Sequence, residues 1–213
     1  KMQKTDYYTL CYYNGRQMVW NRKDLFGEII VRPTDRRENY VKRCVGTPGD
    51  SLKIVNNIVY IKTDGDWEQE PMHEWSQLNY FVVTDGHLLT KSYLDKIGIS
   101  QDDRITIRPG VYHFPLTLAM RDELEKNPHI VTIELEPEVN GGAVYPLGHN
   151  DWTRDNYGPI YLPKKGERLL ITEDNYWLYK RIAEGYEFQP MHIGEEYAFT
   201  MDYYWMMGDN RHN

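Results

Sequence analysis

The sequence predicts a mainly β protein carrying an α+β insertion, and three observations lead there. Aromatic residues make up 14% of the 213 residues, with 18 Tyr and 6 Trp, a bias toward pleated, half-buried surfaces rather than a helix bundle. Two apolar runs, Leu52-Lys53-Ile54-Val55 and Ile58-Val59-Tyr60-Ile61, flank Asn56-Asn57, residues that tolerate the left-handed backbone of a tight hairpin turn. From about residue 63 the texture becomes mixed and polar, with capping residues ahead of short helical patterns.

Taken in order, residues 1–24 are polar and tyrosine-rich with Asn14-Gly15 in their midst, and read as a loop or hairpin. Glu28-Ile29-Ile30-Val31-Arg32 reads as a strand ended by Pro33, which cannot donate to a ladder. Asp35 to Asn39 is a charged connector, and Tyr40 to Val45 is the next strand, closed by the turn Gly46-Thr47-Pro48-Gly49-Asp50. The 52–61 hairpin follows. Strands are expected over Val111 to Phe114, Asn79 to Val83 and His129 to Leu135. Thr90, Thr117 and Thr172 are placed to cap helices stopping near Gly98, Lys126 and Gly185. The last of these holds Tyr176, Tyr179 and Ile182 on one face. Tyr197 to Phe199 and Tyr203 to Met207 are β-prone and should pair back with the first strands. The expected organisation is a β core over 1–62, a separate insertion over 63–194, and a return to the core over 195–213.

Bulk properties narrow the function. A hydrophobic fraction of 40% with mean hydropathy −0.71 describes a globular chain, and no apolar run approaches the roughly 20 residues of a membrane span. The net charge of −7 argues against nucleic acid, whose binding needs a clustered basic face. The two cysteines, Cys11 and Cys44, either pair or remain free thiols. Seven histidines show no paired spacing and no Cys-x-x-Cys occurs, so no metal site and no cofactor are expected. Asp64-Gly65-Asp66 is too short for a calcium loop. His149, Asp151 and Asp155 read as a structural polar loop around Trp152.

Two stretches carry most of the chemical information. Tyr40-Val41-Lys42-Arg43-Cys44-Val45-Gly46-Thr47-Pro48-Gly49-Asp50 sets a lysine inside an expected buried strand, and Met206-Met207-Gly208-Asp209-Asn210-Arg211 lies near the far end. Desolvation disfavours a charged amine and lowers its pKa. A neutral lysine can take a proton from a serine hydroxyl and so support amide cleavage without histidine. The competing reading is that Lys42 extends its ammonium to solvent from a strand edge. Strand alternation points Arg43 away from Lys42, either into an ion pair with Asp209 that pins the closing stretch to the lysine strand or out to solvent. Gly208 permits close backbone approach, and Asn210 and Arg211 hold the loop by hydrogen bonds.

Both stretches, in this order and with a long insertion between them, resemble the lysine box and the glycine–aspartate–asparagine–arginine box of bacterial type I signal peptidases. The resemblance is specific over roughly 28–62 and 195–213, and diffuse between. It implies a signal-peptidase-like β core and a serine endopeptidase that removes signal peptides with a serine–lysine dyad, Lys42 being the general base. It places Asn39, Tyr40 and Val41 against the substrate, an extended signal peptide with small residues before the cut. Arg43, Gly208, Asp209, Asn210 and Arg211 support the site, and His212, where many relatives have aspartate, takes no role. The resemblance further implies a monomer anchored in the inner membrane by a segment outside this chain, with its catalytic domain on the periplasmic side.

Relatives carry the nucleophile in a Ser-Met-x-Pro box ahead of the lysine. Ser51, Ser76, Ser92 and Ser100 all follow Lys42 and none has that context. The core is therefore expected to be incomplete and these 213 residues inactive alone. Two alternatives stand beside this reading: a non-catalytic relative that binds exported peptides or partners, and a serine–lysine protease of the self-cleaving repressor group.

Overall fold

A computed structural model describes residues 7–31, 33, 40–138 and 144–212. The chain divides into two compact units, Lys1–Val41 and Lys42–Asn213. The first is helical where described, with α1 Tyr7–Asn14, α2 Arg16–Asn21 and α3 Lys23–Phe26. This departs from the expected loop or hairpin, because Asn14-Gly15 breaks one helix from the next instead of reversing a strand. Gly15 takes φ 80°, its N–H donates to Cys11 O at 2.8 Å, and the Asn14 amide donates to Leu10 O at 2.9 Å. Neither flank alternates with period two, so nothing favours a ladder over local bonds. Residues 28–31 form no strand, and the charged connector, 35–39, lies outside the described residues.

The second unit is mainly β, as expected. Its strands are β1 Arg43–Gly46, β2 Ser51–Val55, β3 Ile58–Lys62, β4 Glu68–Gln69, β5 Leu78–Thr84, β6 Ile105–Arg108, β7 Val111–Leu116, β8 Ile130–Leu135, β9 Tyr157–Tyr161, β10 Arg168–Leu170, β11 Glu196–Ala198 and β12 Trp205–Met207. The helices are α4 Lys91–Ile97, α5 Leu118–Glu125 and α6 Glu173–Gly185. The strands form four antiparallel sheets, ordered β1-β12, β10-β11, β4-β3-β2-β9 and β6-β7-β5-β8.

The β2–β3 hairpin turns as its sequence requires, with Asn56 and Asn57 at φ 51° and 67°. Before it, Asp50 is buried and its carboxylate accepts from Thr47 N (2.7 Å), Thr47 Oγ1 (2.8 Å) and Thr63 Oγ1 (2.7 Å). These bonds lock the Pro48-Gly49 turn that follows β1. On the other edge of β2, Ser51 faces Tyr161 and Leu52 faces Ile160. Residues 157–161, within the span expected as an insertion, thus hydrogen-bond to the first hairpin. Val45, Leu52, Ile54, Val59 and Tyr157 form this sheet's core, with Trp205 and Met207 of β12 packed on it.

The β6-β7-β5-β8 sheet has its own core of Tyr80, Val82, Tyr112, Phe114 and Leu116, closed by Leu94 of α4 and Leu124 of α5. Thr90 and Thr117 cap these helices by accepting from Tyr93 N and Met120 N. A third cluster joins Tyr179 and Ala183 of α6 to Ile171, Met191, Tyr197 and Phe199. Here one pairing differs from expectation. β11 runs against β10, Leu169 opposite Tyr197, and only β12 returns to β1. The apolar Tyr197 and Phe199 are consumed by the α6 cluster, which leaves Trp205 to Met207 to pair with the lysine strand.

Candidate active site

β1 and β12 bring the two chemically informative stretches together, with Arg43 opposite Met207 and Cys44 opposite Met206. Arg43 grips the closing loop through two bonds to Asp209, Nε–Oδ1 at 3.0 Å and NH2–Oδ2 at 3.2 Å. The guanidinium holds the Asp209 carboxyl below its usual range, chiefly through that hydrogen bond. The loop is fastened from its other side by the start of β5: Gln77 N–H donates to Asp209 O at 2.7 Å and Arg211 N–H donates to Gln77 O at 2.9 Å. Arg211 lies along Met207, its NH1 2.9 Å from the thioether sulfur, and burial pulls its guanidinium below the ordinary value. The Asn210 side chain accepts from His212 N at 3.2 Å.

Lys42 sits one residue before β1 and is exposed, not buried as the sequence suggested. Pairing of the strand begins at Arg43, so Lys42 has no ladder neighbour to cover it. Its amine is nonetheless docked. A Cβ placed on Gly208 would lie 2.9 Å from Lys42 Nζ and 3.8 Å from its Cδ, so the lysine rests on the bare face of that glycine. Lys42 also lines a cleft of about 360 Å³ together with Tyr157, Trp205, Met206, Met207 and Gly208. The apolar shelter expected around the amine exists on this side only.

Two polar groups of the cleft wall are sequestered. Tyr157 Oη and Trp205 Nε1 are buried without a hydrogen-bond partner among the described residues. Buried donors are nearly always paired, so these two are exceptions enclosed within the cleft wall. Of the residues expected to face substrate, Asn39 lies outside the described residues. Tyr40 and Val41 end the first unit, exposed at 76% and 95%. Both cysteines are free thiols, Cys44 being exposed. No helix among the described residues is long and apolar enough to cross a membrane.

Sequence reasoning missed His212. Its side chain is fully enclosed. Nδ1 accepts from Asn79 N at 3.1 Å, and Nε2 donates to Asn57 Oδ1 at 2.8 Å. Glu136 and Asp155 stand 3.5 Å from its two nitrogens. Arg154 bridges those carboxylates, reaching Asp155 at 2.7 Å and Glu136 at 3.3 Å. The histidine thus ties the closing loop to the hairpin turn and to β5. No local pattern could have announced it, because its partners lie far away in sequence. Gln77 was missed for the same reason.

The family model described as signal peptidase, peptidase S26, matches residues 12–151 of the chain. That span contains Lys42 and Arg43; the closing loop lies beyond it. No curated protein and no solved structure matches significantly.

Proposed function

The chain belongs to the signal peptidase S26 family, and we propose that it supplies the general base and the supporting loop of a serine–lysine endopeptidase acting on exported proteins. The observation that carries this reading is the Lys42 amine lying against Gly208, on a loop held by the Arg43–Asp209 pair. An amine at a cleft edge, beside a backbone with no Cβ, leaves room for a hydroxyl to approach it. The nucleophilic serine belongs to a Ser-Met-x-Pro segment outside these residues.

In this mechanism Lys42 Nζ, uncharged, accepts the serine proton as the oxygen attacks the scissile carbonyl carbon. The resulting ammonium gives that proton to the departing amine as the C–N bond breaks, leaving an acyl-enzyme. Water, deprotonated by the same lysine, then releases the acid and regenerates the serine. Asp209, Asn210 and Arg211 keep the loop in place, and Arg43 pins it.

The substrate is a signal peptide bound as an extended strand, its main chain held by Asn39, Tyr40 and Val41 and its small side chains in shallow pockets. Within residues 63–194 the β6-β7-β5-β8 sheet with α4 and α5 is the non-catalytic insertion, while β9 belongs to the sheet of the first hairpin. The intact protein sits in the inner membrane with this domain on the outer side, as a monomer, and residues 1–213 alone are inert.

Lys42→Ala tests the reading in protein that carries the serine segment. Processing of a signal-peptide substrate should fall by at least about a thousandfold, as for loss of other essential bases, with unchanged thermal unfolding. Equal turnover would remove Lys42 from the mechanism, and cleavage by residues 1–213 alone would refute the external serine.

A further inference from the structure

The end of β5 gathers three side chains that the peptidase chemistry does not use. Asp85 follows β5, His87 comes two residues later across Gly86, and His129 immediately precedes β8. Asp85 Oδ1 lies 2.8 Å from His87 Nδ1 and Asp85 Oδ2 lies 3.0 Å from His129 Nδ1. The two imidazoles stack, with centroids 3.6 Å apart and planes inclined by 25°. One donor atom from each of the three residues lies within 4.8 Å of the others.

The backbone beneath is firmly set. Asp85 N–H donates to His129 O at 3.0 Å and Thr84 N–H to Gly110 O at 2.8 Å. The Thr84 hydroxyl donates to His87 O at 2.7 Å, His87 N–H to Asp85 Oδ1 at 3.2 Å, and His129 N–H to Asn127 Oδ1 at 3.0 Å. The cluster is therefore positioned before any ligand arrives, while its side chains stay open to solvent, His87 at 64% and His129 and Asp85 at 43%.

We propose that Asp85, His87 and His129 form a binding site for a divalent transition-metal ion. Two imidazoles and one carboxylate on a single face, with the remaining positions open to water, is a ligand set that suits borderline ions such as Ni²⁺, Cu²⁺ and Zn²⁺. Each Nδ1 hydrogen-bonds one carboxylate oxygen, at 2.8 and 3.0 Å; an arriving ion displaces the bridging protons and takes one donor atom from each residue, atoms that already lie within 4.8 Å of one another. With one carboxylate and two nitrogens the site is poor for Mg²⁺ or Ca²⁺, which prefer all-oxygen shells.

The ion takes no part in peptide cleavage. Gln77, at the opposite end of β5, holds the closing loop, and the eight residue steps from Gln77 to Asp85 span about 26 Å of strand. Its role is a clamp that links β5 to β8 where both leave the sheet. This inference is independent of the peptidase reading.

Calorimetric titration of the chain with Zn²⁺, Ni²⁺ or Cu²⁺ at neutral pH should give one ion per chain at micromolar affinity. Mg²⁺ and Ca²⁺ should give none. His87→Gln, His129→Gln and Asp85→Asn should each weaken binding about tenfold or more, while His149→Gln, a histidine stacked on Trp177, should leave it unchanged. Zn²⁺ should also raise the unfolding temperature of the parent chain and not that of H87Q, since an ion that binds only the native state stabilises it. Should H129Q fail to fold, H87Q carries the test from its exposed position. No stoichiometric binding, or equal affinity in H87Q, would overturn the proposal.

Discussion

At the scale of single residues, the informative atom is one that Gly208 lacks. A methyl there would sit 2.9 Å from Lys42 Nζ, and the neighbouring Asn210 O at 3.4 Å leaves little room to yield. The lysine end is flexible, so it moves instead of the loop. Gly208→Ala should therefore spare the fold, shifting thermal unfolding hardly at all, yet displace the amine by a fraction of an ångström or more. Misplacing a catalytic group by about 1 Å costs on the order of a hundredfold in rate. In protein with its serine segment, kcat for signal-peptide cleavage should fall about tenfold to a hundredfold while KM stays close. A variant with full kcat would show that the docked position of Lys42 is incidental. The Arg43–Asp209 pair was anticipated from strand alternation together with the expected return of the closing stretch beside the lysine strand. The exposure of Lys42 was not, since it depends on β1 starting at Arg43, three residues later than the expected strand.

At the scale of elements, legibility follows how local the deciding interaction is. The Asn56-Asn57 turn and the threonine caps of α4, α5 and α6 could be read because a side chain and the backbone it serves lie within a few residues. The helices of the first unit and the partner of β11 could not, because tyrosine-rich stretches take whichever structure their surroundings complete. Glu187 shows the cost of such long-range assembly. It is buried and accepts from Tyr197 Oη and Tyr203 Oη, both at 2.8 Å, and from Thr200 N and Met201 N at 3.0 and 3.1 Å. Burial alone would raise its pKa, but these bonds outweigh it and hold the carboxyl below its ordinary value. The phenols move the other way, pushed up by burial and by the carboxylate. Glu187→Ala would strand both phenols and two backbone donors at the end of α6. Bonds to a charged group contribute about 1.5–3 kcal/mol each and are not additive, so urea denaturation should show a loss of about 3 kcal/mol or more. A loss below about 1 kcal/mol would mean that water replaces the carboxylate freely.

For the whole molecule, four hydrogen-bonded carboxylates shift in the same direction. Asp50, Glu136, Glu187 and Asp209 all have depressed pKa values, hydrogen bonds and nearby cations overcoming desolvation where they are buried. Such carboxylates add stability above their ordinary values of 3.8 and 4.5, and lose it as pH falls through the folded values. His212 is depressed from 6.5 because burial and Arg154 disfavour its charge, against the weaker pull of Asp155 and Glu136. Below pH 6.5 the unfolded chain therefore takes up a proton that the folded chain refuses. Stability then falls by at most about 1.4 kcal/mol per pH unit for that one group. The same imidazole joins the closing loop to the hairpin turn and β5, so protonating it strikes the contact that assembles the catalytic loop. The urea midpoint should accordingly be flat between pH 8 and 7, decline from about 6.5, and drop more steeply below about 4.5. His212→Gln should be less stable at pH 8, having lost a fitted ring, but its curve between pH 7 and 5 should be flatter than the parent's. An unchanged slope in H212Q would assign the neutral-to-acid decline to other groups and leave the loop anchored by Gln77 and Arg43 alone.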